Sequence, residues 1–261
     1  MPAYTNLRVE QDGEVQTLTL DRPKVNAFDF QLAEDLLDAL ARAAEEENVR
    51  CLVLTGAGKS FSAGQDVQQM HEVGPRVSYR QHLERSFNAI VLVMRQMDKP
   101  ILGAINGTAA GAGLGIALAT DLRLAAESAR FVFGFTALGL SADSGVSLFL
   151  TSHLGLARAA EMAFTNQPLC AQQALQAGLV NRLVPDADLL PEAQALAAAL
   201  AAGPTRALGL IKRALHFAAF QALEAVLDYE GSLQEIASRT ADHREGVAAF
   251  LEKRPPTFHG H

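Results

Sequence analysis

The order of apolar and polar positions predicts a regular succession of strands and helices. Residues 7–20 hold two strand-like runs around a turn at Asp12-Gly13, a pattern typical of a β-hairpin. Residues 28–47 place leucines at helical spacing opposite acidic side chains, which predicts an amphipathic helix. A buried strand is expected at residues 51–55, and one long helix at residues 78–97, before Pro100.

The same succession of elements recurs in the middle of the chain. Residues 101–105 and 122–125 read as strands on either side of a glycine-rich loop, 107–113, and a short helix. A further strand is expected within residues 178–184. Strands that alternate with helices favour an α/β fold with parallel pairing and right-handed connections.

After about residue 191 the pattern changes to alanine- and leucine-rich helices without a strand. We therefore predict an α/β core over residues 1–190, which binds the ligand, and a helical region over residues 191–261.

Composition and charge restrict the classes of partner. The 261 residues include 22 Lys and Arg against 29 Asp and Glu, a net charge of −7. An acidic chain lacks the basic field that nucleic-acid binding requires. Two cysteines indicate a reducing compartment, the first 13 residues lack a signal-peptide pattern, and no run reaches the roughly 18 apolar residues of a membrane span. These features predict a soluble, cytoplasmic protein.

Several sequence motifs resemble known sites only in part. The stretch 56–60 is similar to the end of a phosphate-binding loop, but Val53 stands where that loop needs glycine. The cluster 111–115 has its third glycine one position early for a dinucleotide site, because Ile116 holds the required place. The seven histidines show no metal-ligand spacing. We expect no metal and no nucleotide cofactor.

A hydrolase site would use Ser144 or Ser147 with His153 and Asp143. Neither serine lies in a Gly-x-Ser-x-Gly motif, so the sequence does not favour this arrangement.

Two small-residue loops each lead into a helix. Asp66 is a good N-cap, which places the Gln65 backbone amide beside a helix N-terminus. The second loop, residues 106–113, brings the Ala112 amide to the start of another helix. Two such unpaired N–H donors are able to form an oxyanion hole, and two tight helix-entry turns explain the same residues equally well.

Together with three other blocks, these loops resemble the crotonase (enoyl-CoA hydratase/isomerase) superfamily. The matching blocks, in chain order, are Leu18 to Pro23 with Asn26-Ala27, Phe61 to Asp66, Asn106 to Ala125, Ala174 to Val180, and Glu245-Gly246 to Pro255. The resemblance implies an α/β spiral of ββα turns followed by C-terminal helices that take part in trimer formation and cover the active site. It also implies assembly as homotrimers or dimers of trimers.

The resemblance further implies an acyl-CoA thioester as ligand, with no cofactor beyond the coenzyme A of the substrate. The N–H groups of Gln65 and Ala112 would hold the thioester carbonyl. Ala112 replaces a family glycine but keeps its N–H. The positions that the resemblance assigns to contacts with substrate or coenzyme A are Arg22, Lys24, Ala27, Ala63, Gly64, Asp66, Phe135 and Lys253.

The catalytic positions of the family's hydratases are not kept. Gly115 and Phe135 stand where those enzymes place two glutamates. A carboxylate is present instead at Asp143, the position of the aspartate in the superfamily's isomerases of epoxyphenylacetyl-CoA and in its chlorobenzoyl-CoA dehalogenases. The dehalogenases have tryptophan at the position of Phe135. Burial would raise the pKa of Asp143 toward the range of a general base. A helix N-cap is the alternative role for Asp143.

The resemblance therefore implies an acyl-CoA isomerase that moves a proton on an unsaturated or ring-epoxidised, phenylacetyl-type thioester. The alternatives are a hydratase with a non-standard site and an RNA-binding homologue. The acidic side chains of the first predicted helix disfavour RNA binding. We expect the loop at residues 70–79 and the C-terminal helices to shape the acyl pocket.

Overall fold

The computed structural model describes residues 4–74 and 77–261. Residues 1–3, which belong to the predicted polar N-terminal segment, lie outside the described residues. Residues 75 and 76, within the predicted pocket loop 70–79, also lie outside them.

Two sheets form the centre of the fold. The strands are β1 (Leu7–Asp12), β2 (Val15–Leu20), β3 (Cys51–Gly56), β4 (Ser60–Ser62), β5 (Ile101–Ile105), β6 (Thr108–Ala110), β7 (Leu122–Ala126), β8 (Arg130–Val132), β9 (Leu169–Cys170) and β10 (Arg182–Val184). The larger sheet has the order β1-β2-β3-β5-β7-β10, and the smaller has β4-β6-β8-β9. Only the β1–β2 hairpin is antiparallel among the paired strands of the larger sheet. The predicted α/β class with parallel pairing is confirmed.

Helices cover the sheets and form the C-terminal region. They are α1 (Phe30–Glu45), α2 (Val67–Val73), α3 (Tyr79–Arg85), α4 (Phe87–Gln96), α5 (Ala112–Ala119), α6 (Val146–Thr165), α7 (Ala171–Gln176), α8 (Leu189–Ala201), α9 (Thr205–Phe220), α10 (Leu223–Ala237) and α11 (Ala241–Glu252). No helix among residues 4–74 and 77–261 combines the length and the apolar content that a bilayer crossing needs.

The central strands β2, β3 and β5 of the larger sheet are buried on both faces, as parallel strands between helices require. Along β3, Leu52 and Leu54 belong to the main core with α1 and α4. Cys51 and Val53 point to the opposite face and pack with α8. Helix α8 spans the predicted boundary at residue 190 and covers the sheet, so the division into 1–190 and 191–261 stays a prediction.

The smaller sheet was not expected from the sequence. Strands β4 and β6 lie inside the segments predicted as glycine-rich loops, and they pair in parallel. Both strands have only three residues, Ser-Phe-Ser in β4 and Thr-Ala-Ala in β6, and three positions are too few to establish an alternation of apolar and polar side chains. Pairing with a distant segment therefore determines these strands.

The predicted single helix at residues 78–97 is wrong, because the structure divides it into α3 and α4 at Ser86. The Ser86 backbone has φ −119° and ψ −95°, and its hydroxyl donates to the His82 carbonyl at 2.7 Å. Helix α3 packs on α10, whereas α4 packs on α1 and α5. The break lets the two halves follow different partners.

Two helical glycines provide a test of packing against the C-terminal helices. A Cβ on Gly246, in α11, would lie 2.7 Å from the Leu138 carbonyl carbon, whereas one on Gly231, in α10, would meet Arg80 Cγ at 3.4 Å. We expect Gly246→Ala to lower the free energy of unfolding by about 1–3 kcal/mol through overpacking. Gly231→Ala should be neutral or stabilising, because alanine favours a helix by about 1 kcal/mol over glycine. Thermal denaturation of both variants measures the difference, and equal Tm values would contradict the close packing of α11.

Candidate active site

The loop before α2 directs the Gln65 N–H away from Phe28, the residue beside it. Phe28 and Gln65 form a parallel bridge in which the Phe28 N–H donates to the Gly64 carbonyl at 2.7 Å. The Asp66 N–H donates to the Phe28 carbonyl at 2.8 Å. Because these bonds use the residues on either side of Gln65, its own N–H points to the opposite side of the segment.

The second loop places the Ala112 N–H beside the first. Ala112 is the first residue of α5, where the backbone N–H has no partner within the helix. A Cβ on Gly64 would lie 3.1 Å from the Ala112 nitrogen and 2.7 Å from the Ala110 carbonyl oxygen. Gly64 also has φ +84°, so both its conformation and this contact require glycine. The two loops thus meet, and an oxyanion hole at Gln65 and Ala112 stays a prediction with matching geometry.

Asp66 has the predicted N-cap role and a second partner. One carboxylate oxygen accepts the Gln69 N–H at 3.1 Å, and the other accepts from Arg22 Nη2 at 2.6 Å. The same guanidinium donates to Asp29 Oδ2 at 2.9 Å and to the Ala27 carbonyl at 3.2 Å. Arg22 therefore links the N-cap residues of α1 and α2, Asp29 and Asp66. Its predicted contact with coenzyme A stays a prediction.

Three further predicted contact residues lie at the surface. Lys24 and Ala63 are exposed, and the Ala63 N–H donates to the Val25 carbonyl at 3.0 Å, which brings their two loops together. Lys253 is exposed and ends α11 in the left-handed conformation, with φ +56°. Exposure at the surface does not test the predicted contacts of these residues with coenzyme A, which stay predictions.

Asp143 is buried between two hydrogen-bond donors. Its side chain is 7% exposed. Oδ1 accepts from the Ser144 hydroxyl at 2.6 Å, and Oδ2 accepts from Gln234 Nε2 at 2.8 Å. The alternative role of Asp143 as a helix N-cap does not hold, because Glu230 accepts the Gly145 N–H and the Ser147 N–H at 2.8 and 3.0 Å at the start of α6.

Burial raises the pKa of Asp143 to about 7, because desolvation disfavours the charged carboxylate. The two hydrogen bonds from Ser144 and Gln234 lower this pKa, and the charge of Glu230 raises it further. Burial also raises the pKa of Glu230. The direction of this shift agrees with the expectation from the sequence, and the catalytic role of Asp143 stays a prediction. A pKa raised toward neutral pH suits a group that takes up and returns a proton.

The two positions that the resemblance matches to hydratase glutamates hold no carboxylate, and at Gly115 there is no room for one. A Cβ on Gly115 would lie 2.6 Å from Ser144 Cβ and 2.7 Å from the Ser144 carbonyl oxygen. Phe135 is buried, and its ring packs edge-on against Phe133 at a centroid distance of 5.0 Å. The Phe135 ring also borders Gly111, next to the Ala112 N–H.

Helix α3 contributes two residues that the sequence analysis did not single out. His82 Nε2 lies 2.6 Å from Gln65 Oε1. Burial lowers the pKa of His82 to about 4, so the ring is neutral at pH 7. Tyr79 is close enough to Asp143 that the carboxylate charge contributes, after burial, to raising the Tyr79 pKa to about 12. Their spacing of three residues places both on one helix face, but the sequence alone did not show what that face contacts.

The hydrolase arrangement is not formed. The Ser147 hydroxyl donates to Glu230, and the Ser144 hydroxyl donates to Asp143. His153 Nε2 instead lies 3.4 Å from Arg123 Nη2.

Comparison with known proteins agrees with the geometry. The chain is 42% identical over 249 residues to a protein of Escherichia coli K12 named 1,2-epoxyphenylacetyl-CoA isomerase, covering 94% of this chain and 95% of that protein. It is 39% identical over 259 residues to a Rhodobacter capsulatus protein named "Probable enoyl-CoA hydratase", covering 99% of both. A crystal structure of an enoyl-CoA hydratase from Mycobacterium avium subsp. paratuberculosis matches with a TM-score of 0.90 at 30% identity, covering 98% of this chain and 100% of that one.

The family model for enoyl-CoA hydratase/isomerase matches residues 10–261. This match covers both loops that carry the N–H donors, the buried Asp143 and the C-terminal helices. The expected crotonase fold is confirmed, and the chain belongs to the enoyl-CoA hydratase/isomerase family, whose members are enzymes that act on CoA thioesters.

Proposed function

We propose that this protein is an acyl-CoA isomerase in which Asp143 is the one group that removes and returns a proton. The observation that carries the proposal is the burial of this carboxylate, which raises its pKa to about 7. The substrate class is an unsaturated or ring-epoxidised, phenylacetyl-type CoA thioester, and the name of the Escherichia coli relative supports the second of these.

In the proposed reaction, Asp143 takes a proton from a carbon next to, or conjugated with, the thioester carbonyl. The electron pair of the broken C–H bond moves into the conjugated system, and negative charge develops on the thioester oxygen. The N–H groups of Gln65 and Ala112 donate to that oxygen and stabilise the charge. The protonated Asp143 then returns the proton to a different carbon, which completes the isomerisation without water.

Water addition is less well supported. The standard hydratase chemistry uses two carboxylates to position and activate one water. Neither Gly115 nor Phe135 supplies one, and Glu230 already accepts backbone N–H groups at the start of α6. The hydratase name of the Rhodobacter capsulatus relative keeps hydration as the second candidate.

Self-assembly and binding of coenzyme A belong to the same proposal. Helix α9 exposes a row of large apolar side chains, at Leu210, Ile211, Leu215 and Phe217. Such a row supports the proposed homotrimer or dimer of trimers, in which a neighbouring copy would cover it. The surface lysines Lys24 and Lys253 are the proposed contacts for the coenzyme A phosphates.

The first test replaces the proposed base. We expect Asp143→Asn to lower the isomerisation rate of a 3-enoyl-CoA or an epoxyphenylacetyl-CoA by roughly 10²–10⁴-fold, because the amide cannot accept the proton. The matched control is Asp186→Asn, which removes an exposed carboxylate bonded to the Ser128 N–H and should leave the rate unchanged. Parallel assays with crotonyl-CoA measure hydration. Brisk hydration that survives in Asp143→Asn would contradict the proposal.

The second test follows the titration of Asp143. The base must be ionised to accept a proton, so kcat/KM for isomerisation should be constant above about pH 8 and fall about tenfold per pH unit below about pH 7. His82 titrates much lower, near 4, so its protonation does not produce this limb. An acid limb centred near the ordinary carboxylate value of about 4 would exclude Asp143 in its buried state as the base.

The third test removes one proposed oxyanion donor. Ala112 is the first residue of α5, a position where the φ of proline suits a helix. Proline replaces the N–H hydrogen with its ring Cδ, so the donor is lost and a carbon atom stands in its place. We expect Ala112→Pro to lower kcat/KM by roughly 10²–10³-fold. Ala112→Gly keeps the N–H and should stay within a few-fold of the unaltered protein. A folded Ala112→Pro variant with full activity would show that this N–H does not hold the carbonyl.

A further inference from the structure

The two donors that hold the Asp143 carboxylate differ in what they are able to do. Gln234 Oε1 accepts the Ser141 N–H at 3.0 Å, which fixes the amide so that Nε2 faces Asp143 Oδ2. An amide NH₂ only donates. The Ser144 hydroxyl at Oδ1 is able to donate or to accept, depending on its rotation.

We propose that Ser144 is a positioning residue that keeps the transferred proton on Oδ1 of Asp143. This inference rests on the proposed function, in which Asp143 is the base. When Asp143 is ionised, the Ser144 hydroxyl donates to Oδ1. When Oδ1 has taken the proton from the substrate carbon, the hydroxyl rotates and accepts the new carboxyl O–H. Gln234 donates to Oδ2 in both states, so Oδ2 stays an acceptor.

The backbone at Ser144 is an independent reason to assign a role to its side chain. Ser144 is completely buried and has φ +57°, in the left-handed region that favours glycine. Gly145 follows with φ +77°. Glycine would adopt the conformation at position 144 more easily than serine, yet this residue carries a side chain whose hydroxyl is bonded to the carboxylate of Asp143.

Burial and the charge of Glu230 disfavour the ionised form of Asp143. The hydrogen bonds from Ser144 and Gln234 are what stabilise it. From α10, Glu230 faces it and raises its pKa. From α3, Tyr79 faces it as a neutral phenol, and the Tyr79 hydroxyl lies 3.0 Å from His243 Nε2 on α11. Burial lowers the pKa of His243, which favours its neutral ring. Among the described residues, no cation forms an ion pair with Asp143.

The hydrogen bond from Ser144 determines the direction in which its removal should move the pKa of Asp143. The bond from Ser144 lowers the pKa of Asp143 because it stabilises the ionised carboxylate. Removal of the hydroxyl should therefore raise this pKa and move the acid limb of activity to higher pH. A role of Ser144 in the turn alone predicts no such movement.

The experiment records the pH profile of isomerisation by Ser144→Gly, with epoxyphenylacetyl-CoA and a 3-enoyl-CoA as probes. We expect the acid limb to move up by about one pH unit, the equivalent of one hydrogen bond to a charged group. The Tm should not fall, because glycine suits the backbone at this position. Ser144→Cys, with a weaker donor, should give a smaller upward movement.

The matched control is Thr151→Ala on α6, whose hydroxyl bonds only to the helix carbonyls of Ser147 and Leu148, and which should keep the original profile. Unchanged profiles in both folded Ser144 variants would overturn the inference. Loss of the proposed function gives a different result, because Asp143→Asn would then remain active whatever the Ser144 variants do.

Discussion

The carboxylate of Asp143 is buried with no ion-pair partner among residues 4–74 and 77–261, and the surrounding structure compensates for this in several ways. An isolated buried charge is strongly unfavourable, so such a group gains a proton or gains hydrogen bonds. Asp143 has a hydrogen-bond donor at each carboxylate oxygen, and its pKa is raised to about 7, which makes protonation accessible near neutral pH. The free-energy difference between its two protonation states is therefore small at neutral pH, which is the condition that proton removal and return require.

The C-terminal helices supply much of this environment. Glu230 and Gln234 lie one turn apart on α10, so they face the same segment of chain. Glu230 takes up the free N–H groups at the start of α6, and Gln234 holds Asp143. Arg80 on α3 forms an ion pair with Asp228, which also lies on α10. Helix α10 therefore contacts three parts of this region: the carboxylate of Asp143, the start of α6, and α3.

Glycines at close contacts determine how near these parts come to one another. Gly64 lets the first loop approach the nitrogen of Ala112, and Gly115 lets α5 approach the backbone of Ser144. A Cβ on Gly64 would collide with backbone atoms at the end of β6 and the start of α5, and one on Gly115 would collide with the Cβ and the carbonyl oxygen of Ser144. The same contact that brings Asp143 toward α5 also removes the space for a glutamate at position 115.

Local chemistry was readable from the sequence, and long-range partners were not. The hairpin, the buried strand at Cys51, the N-cap at Asp66 and the first helix depend on spacing within a few residues, so pattern alone predicted them. The smaller sheet, the break at Ser86 and the partners of Asp143 depend on segments far away in the sequence, and the bond from Gln234 to Asp143 alone spans 91 residues. Whether Asp143 caps a helix or stands buried as a base was open in the sequence, because both roles suit an aspartate before an apolar run. The tertiary structure decides only against the helix cap, because Glu230 accepts the N–H groups at the start of α6 and the buried Asp143 carboxylate accepts from the side chains of Ser144 and Gln234. The role of Asp143 as a base stays a proposal.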